Sequence, residues 1–216
     1  MNPLQSLGLR HQTDKADRYH TFCGRSYLDV YETYFAPIRD QVRGVLELGV
    51  YRGSSLKVWR DYFRNASVIG IDQDPQANQF YGERISVILG HQCDPQVLHR
   101  ARAAAAAAAD TAFDIIIDDG SHLVEHMLGS LDAAWGHLKP GGLYTIEDLA
   151  NTYYDLTPYV QVRPGLSLNP PTTDFCNDRS RFDAALLARI AIMDKLQGDT
   201  AFIHFWPMQC ILQKVN

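Results

Sequence analysis

The sequence is short of the features that mark membrane, secreted or nucleic-acid-binding chains. Nowhere in its 216 residues is there the run of roughly 20 apolar residues that a membrane-spanning helix needs. Residues 1–12 lack the apolar core and small-residue cleavage pattern of an export signal. Cysteine is scarce: Cys23, Cys93, Cys176 and Cys210 stand far apart with no C-x-x-C pair, which argues against a disulfide framework or a zinc ribbon. Reduced thiols in a cytoplasmic protein with no membrane partner are therefore expected. Positive charge is not in excess either. The formal net charge is -5 and Lys and Arg are scattered, so no nucleic-acid footprint is expected. The nicotinamide fingerprint G-x-G-x-x-G is missing as well, because Gly49 and Gly53 stand four apart with Tyr51 and Arg52 between them. No repeat or linker divides the chain, and residues 1–216 are expected to form one domain that works on a small molecule or a glycan.

Two short acidic motifs carry most of the information present. Asp118-Asp119-Gly120-Ser121-His122 closes the apolar run 113–117, and Glu147-Asp148 closes the run 142–146. Each run reads as a buried strand, so each motif sets carboxylates at a strand's carboxyl end, where open α/β sheets bind ligands. Neighbouring strands lie about 4.8 Å apart. Carboxylates from two such ends can share one hard cation, with His122 beside it, and a metal next to a base suits activation of a hydroxyl.

The surrounding pattern alternates strand and helix. Residues 44–48, 67–71 and 85–89 read as strands and 54–63 as a helix, which implies parallel strands covered on both faces. The alanine tract 103–109 reads as a surface helix. Residues 1–40 read as a peripheral helical cap in which Tyr27, Val30, Tyr31, Tyr34 and Phe35 recur at helical spacing. That aromatic face predicts packing on the sheet or on a partner, and with it a homodimer. Residues 150–179, with Tyr153, Tyr154, Tyr159 and Pro170-Pro171, read as an irregular substrate lid. A helix over 181–196 and two strands over 201–206 and 209–214 follow, the strands joined as an antiparallel hairpin through Pro207-Met208. The expected class is a Rossmann-like α/β fold, mostly parallel with a C-terminal antiparallel hairpin. Trp59, Trp135 and Trp206 read as core or interface residues.

A glycine loop, Glu47 to Ser55, joins the first strand to its helix. Its two glycines allow a tight turn and close approach to a ligand, and the helix start at Ser54 and Ser55 offers N–H groups to an anion. Asp72 ends the next strand, where a carboxylate can accept hydrogen bonds from ribose hydroxyls. Gln92 and Asp94, after the third strand, offer polar groups to an adenine. Jointly these features describe an adenosyl site.

The series ELGVYRGSS, IGIDQD, DDGSH and IEDL resembles the class I, magnesium-dependent sugar O-methyltransferases that use S-adenosylmethionine. That family includes macrolide deoxysugar O-methyltransferases, cephalosporin hydroxylase-like proteins and mycobacterial methylmannose polysaccharide O-methyltransferases. Thr13-Asp14-Lys15 and His20 resemble the family's N-terminal signature near the cofactor. The resemblance implies a cofactor site made by Thr13, Lys15, Glu47, Gly49, Tyr51, Gly53, Ser54, Asp72, Gln92 and Asp119. It also implies magnesium ligation by Asp119, Glu147 and Asp148, and a general base at His122. S-adenosylhomocysteine would be the co-product. With no long extension before Thr13, a mannoside or short oligosaccharide is the expected acceptor, with a natural-product deoxysugar beside it. Imidazole suits the base role because its ordinary pKa lies nearest neutrality, and Asp118 is the alternative base.

His122 and His126 make an i, i+4 pair without the H-E-x-x-H arrangement of zinc enzymes. Asn169-Pro170-Pro171 is similar to an amino-methyltransferase motif but lacks its aromatic residue and follows the wrong strand. Two rival functions keep the same site: a catechol-type O-methyltransferase, and a non-catalytic protein that only binds S-adenosylmethionine.

Overall fold

Val- and Ile-rich runs suit a pleated surface buried on both faces, and five of them form the parallel part of one seven-stranded sheet. They are β1 (Gly44–Leu48), β2 (Ser67–Asp72), β3 (Ile85–Leu89), β4 (Phe113–Asp118) and β5 (Leu138–Ile146). The hairpin β6 (Thr200–Trp206) and β7 (Gln209–Lys214) completes the order β3-β2-β1-β4-β5-β7-β6, with β7 antiparallel to both neighbours. This is the Rossmann-like class that the alternation predicts. The computed structural model describes residues 1–16, 24–109, 112–153 and 177–216. His20, Cys23, Cys176, Tyr154, Tyr159 and the Pro170-Pro171 pair lie outside them, so most of the expected lid does too. Its described start is a 3-10 turn, Leu149–Tyr153.

Helices cover both faces. On one side lie α1 (Pro3–His11), α2 (Tyr27–Phe35) and α3 (Ser54–Tyr62); on the other lie α4 (Pro95–Ala109), α5 (Val124–Trp135) and α6 (Arg179–Met193). Strand side chains alternate between the faces. Val45, Ile115, Ile117 and Ile211 join the first layer, while Leu46, Leu48, Ile116 and Leu212 join the second. Among the described residues no helix is long and apolar enough to cross a membrane.

The N-terminal segment is not peripheral. Leu4, Leu28, Tyr31 and Phe35 are fully buried. Tyr31 stacks on Phe35 at 4.8 Å between centroids, and both meet Trp59 edge-on at 5.6 and 6.0 Å. The aromatic face that motivated a homodimer is thus largely used inside the chain, because α3 supplies Trp59 and Phe63 opposite it. A Ser26–Asp29 capping box fixes where α2 begins. Two further boundaries shift. β5 starts at Leu138, which pairs with Phe113 ahead of a register irregularity. α6 starts at Arg179 because the Asp178 carboxylate accepts the Ser180 N–H and caps the helix.

Phe35 is enclosed by Tyr31, Trp59 and Phe63. Phe35→Ala is expected to cost about 3–5 kcal/mol in urea denaturation, whereas Leu187→Ala, at a side chain 63% exposed, should stay within about 0.5 kcal/mol of the parent.

Candidate functional site

The strand order reverses between β1 and β4, and the site is built there. Hydrogen bonding continues one step past the strands: Gly49 N donates to Ile71 O (2.8 Å), Asp119 N to Leu48 O (3.0 Å) and Glu147 N to Asp118 O (2.9 Å). Four strand ends, those of β2, β1, β4 and β5, are thereby held side by side. Gly49 has φ 92°, and a Cβ there would lie 2.1 Å from the Asp119 carbonyl oxygen. Any other residue would force the two loops apart.

Asp72 organises the glycine loop. Its Oδ2 accepts the Val50 and Tyr51 N–H groups at 2.8 and 3.1 Å, and its Oδ1 accepts Asp74 N–H at 2.9 Å. Gly53, at φ 65°, starts α3 without a side-chain cap, so no capping side chain takes up the first-turn N–H groups. Tyr51 is exposed beside them. Below the loop, fully buried Glu47 accepts the Ser55 hydroxyl at 2.7 Å, and burial pushes its pKa up to about 7. Thr13 is buried, with its N–H donating to Gly8 O at 3.1 Å.

Gln92 differs from the sequence reading. Its amide does not offer a free edge to an adenine: Nε2 donates to Ser130 Oγ (2.7 Å) and Asp118 Oδ1 (3.1 Å), and Oε1 accepts Ser121 N–H (2.9 Å). The position is 6% exposed, so the amide is drawn into bonds that hold the β4 loop. Asp118 itself is 2% exposed, with Tyr144 OH donating to it at 3.2 Å, and burial raises its pKa to about 7. This leaves it out of reach as a base for an external hydroxyl.

The carboxylates at the other strand ends divide into two groups. Asp119, His122 and Asp148 offer ligand atoms all within 4.8 Å of one another. His122 Nε2 lies 3.5 Å from Asp148 Oδ2 and 4.0 Å from Asp119 Oδ1. Glu147 does not join them, contrary to the expected three-carboxylate set. Its Oε1 accepts the Tyr31 hydroxyl and its Oε2 the Lys15 ammonium at 2.7 Å. Period-two alternation explains this, since Glu147 shares a face with Thr145, which also meets Tyr31 OH at 3.0 Å. Lys15 contacts carboxylates here: Asp119 Oδ2 at 2.5 Å and Glu47 Oε1 at 3.7 Å complete its surroundings. Burial works against its charge, but the three carboxylates outweigh that and hold the ammonium pKa well above its ordinary value. His126 turns away from His122, with Nδ1 2.7 Å from Ser121 Oγ.

His122 and Asp148 both have left-handed backbones, at φ 59° and 58°. Such conformations are uncommon outside glycine. The contacts that α2 makes with this edge lie beyond what the sequence predicts. Tyr27 OH donates to Asp148 Oδ1 at 2.8 Å while Tyr31 reaches Glu147. Their i, i+4 spacing was the available signal, because it sets both hydroxyls on one helix face.

The glycine loop and the acidic cluster meet at the switch point of a Rossmann-like sheet, where such folds bind ligands. Residues 46–149 match the family model described as a methyltransferase domain, so the chain carries such a domain. Among curated relatives, the 8-demethyl-8-alpha-L-rhamnosyl tetracenomycin-C 2'-O-methyltransferase of Streptomyces olivaceus is 36% identical over 70% of the chain and 39% of its own length. The demethylmacrocin O-methyltransferase of Streptomyces fradiae is 34% identical over 70% of the chain and 37% of its own length. The chain spans about two fifths of the length of these relatives. The solved MycE methyltransferase of the mycinamycin pathway, in complex with Mg and SAH, superposes with a TM-score of 0.75 at 25% identity, covering 100% of this chain and 55% of that one.

Asp118 gives a test of the buried network. A carboxyl whose folded pKa is raised contributes most below the unfolded value, near 4, and loses that contribution as pH rises toward about 7. The stability of Asp118→Asn relative to the parent should therefore improve between pH 5 and pH 8 in urea melts. A constant difference across that window would contradict burial as the cause.

Proposed function

We propose that this domain transfers the methyl group of S-adenosylmethionine to a sugar hydroxyl, releasing S-adenosylhomocysteine. The convergence of Asp119, His122 and Asp148 beside the Gly49–Gly53 loop carries the reading. The Asp119 and Asp148 carboxylates are a fitting donor pair for a hard divalent ion such as Mg2+, with His122 Nε2 beside them left for proton transfer. When bound, S-adenosylmethionine supplies an electrophilic methyl on a sulfonium, and the ion supplies a Lewis acid that favours the acceptor alkoxide.

The chain's own residues supply position and proton transfer. The first turn of α3 presents N–H groups suited to the cofactor's carboxylate, while Asp72 anchors the glycine loop and keeps lone pairs for ribose hydroxyls. His122 Nε2 lies beside Asp119 and Asp148, placed to take the acceptor's hydroxyl proton when cofactor and acceptor are bound. Tyr27 fixes Asp148, and the close contact of Gly49 on Asp119 fixes the cofactor loop against the acceptor side.

Relatives that act on rhamnosyl and olivosyl groups support a sugar acceptor. Within that class we propose a mannoside, a short oligosaccharide or a natural-product deoxysugar. Residues 1–216 are read as one working domain in the cytoplasm.

Turnover on a glycoside panel, read as S-adenosylhomocysteine and methylated sugar by mass spectrometry, tests the assignment. EDTA should abolish the signal and Mg2+ restore it; full activity without metal would remove the ion from the reaction. His122→Ala should lower kcat about 100-fold or more with cofactor affinity intact, and a near-normal rate would reject the base. In calorimetry, Asp72→Ala should weaken S-adenosylmethionine binding by about 1–3 kcal/mol. Cofactor binding without product on any acceptor would favour the non-catalytic rival.

A further inference from the structure

The 3-10 turn Asp14–Ala16 delivers Lys15 into the gap between strand ends, where its side chain is 3% exposed. An ammonium has three donors, and three carboxylates surround this one: Asp119 Oδ2 at 2.5 Å, Glu147 Oε2 at 2.7 Å and Glu47 Oε1 at 3.7 Å. Asp119 is shared between two demands. Its Oδ2 serves Lys15, while its Oδ1 faces His122 and the cluster that includes Asp148. Both oxygens of Glu147 are engaged, one by Tyr31 and one by Lys15. A divalent ion that drew either carboxylate toward itself would have to take it from the ammonium.

We propose that Lys15 is an internal counter-cation that competes with the divalent ion for Asp119 and holds Glu147 out of the ion's cluster. It balances the strand-end carboxylates when metal is absent, and it makes metal binding weak and exchangeable. The proposal rests on the reading of Asp119 and Asp148 as a divalent-ion site beside His122. A purely structural lysine predicts something different: its loss would lower stability and leave metal affinity unchanged or weaker.

The experiment is a Mn2+ titration followed by the electron paramagnetic resonance of the free ion, on the parent, Lys15→Met, and the double variant Lys15→Met with Glu47→Gln. The double variant removes one charge of each sign and serves if the single variant does not fold. Both variants should bind Mn2+ more tightly than the parent because Asp119 is no longer held by an ammonium, about tenfold or more in Lys15→Met and less in the double variant, which also loses the Glu47 charge. In EDTA, Lys15→Met should melt below the parent, and Mg2+ should raise its melting temperature more than the parent's. Equal or weaker Mn2+ affinity in whichever variants fold overturns the proposal while leaving the metal site standing. Absence of Mn2+ binding by the parent and both variants overturns the site itself, and this proposal with it.

Discussion

The arrangement at the strand ends depends on one buried ammonium. Asp119 and Glu147 both touch Lys15 Nζ, so their near oxygens are at most roughly 5 Å apart, where two like charges repel by about 3 kcal/mol at an effective dielectric near 20. Without a cation between them, either the charges or the strand ends would have to give way. The cation comes from far away in sequence, 104 residues from Asp119 and 132 from Glu147. Docking of α1 and α2 onto α3 is therefore a condition for the acidic edge, as well as a source of apolar burial.

Sheet geometry divides the labour among acidic groups that look equivalent in sequence. Adjacent residues at a strand end point to opposite faces. Glu147 is turned under α2, where tyrosine and lysine hold it, and Asp148 leaves through a left-handed turn toward His122. The same division separates Asp118, sealed with Gln92 and Tyr144 beneath α5, from Asp119 in the cleft. In each pair one carboxylate supports the frame and the other is available for chemistry.

Local signals carried most of the fold. β3 spans the residues that its apolar run marks, and β4 and the hairpin differ from expectation by one residue, because pleat periodicity and turn residues act at short range. The acidic motifs were legible for the same reason, since both end apolar strands. What stayed hidden was long-range. The aromatic spacing of α2 was visible, but Trp59 as its partner was not, and an exposed interface was the natural inference. Lys15 was assigned to the cofactor by resemblance, whereas its contacts are set by where three strands end. Gln92 was placed correctly at a strand end, yet its orientation follows from Ser130 on α5, 38 residues further along.

The left-handed backbones at His122 and Asp148 set stability against chemistry at two positions. A glycine at either would release a conformation that costs a side chain of order 1 kcal/mol, while deleting the imidazole or carboxylate that gives the cleft its character. Selection of variants by melting temperature alone would thus drift toward a fold without the Asp119–His122–Asp148 cluster. Thermostabilising this scaffold calls for holding both positions constant and seeking gains on the outer faces of its helices.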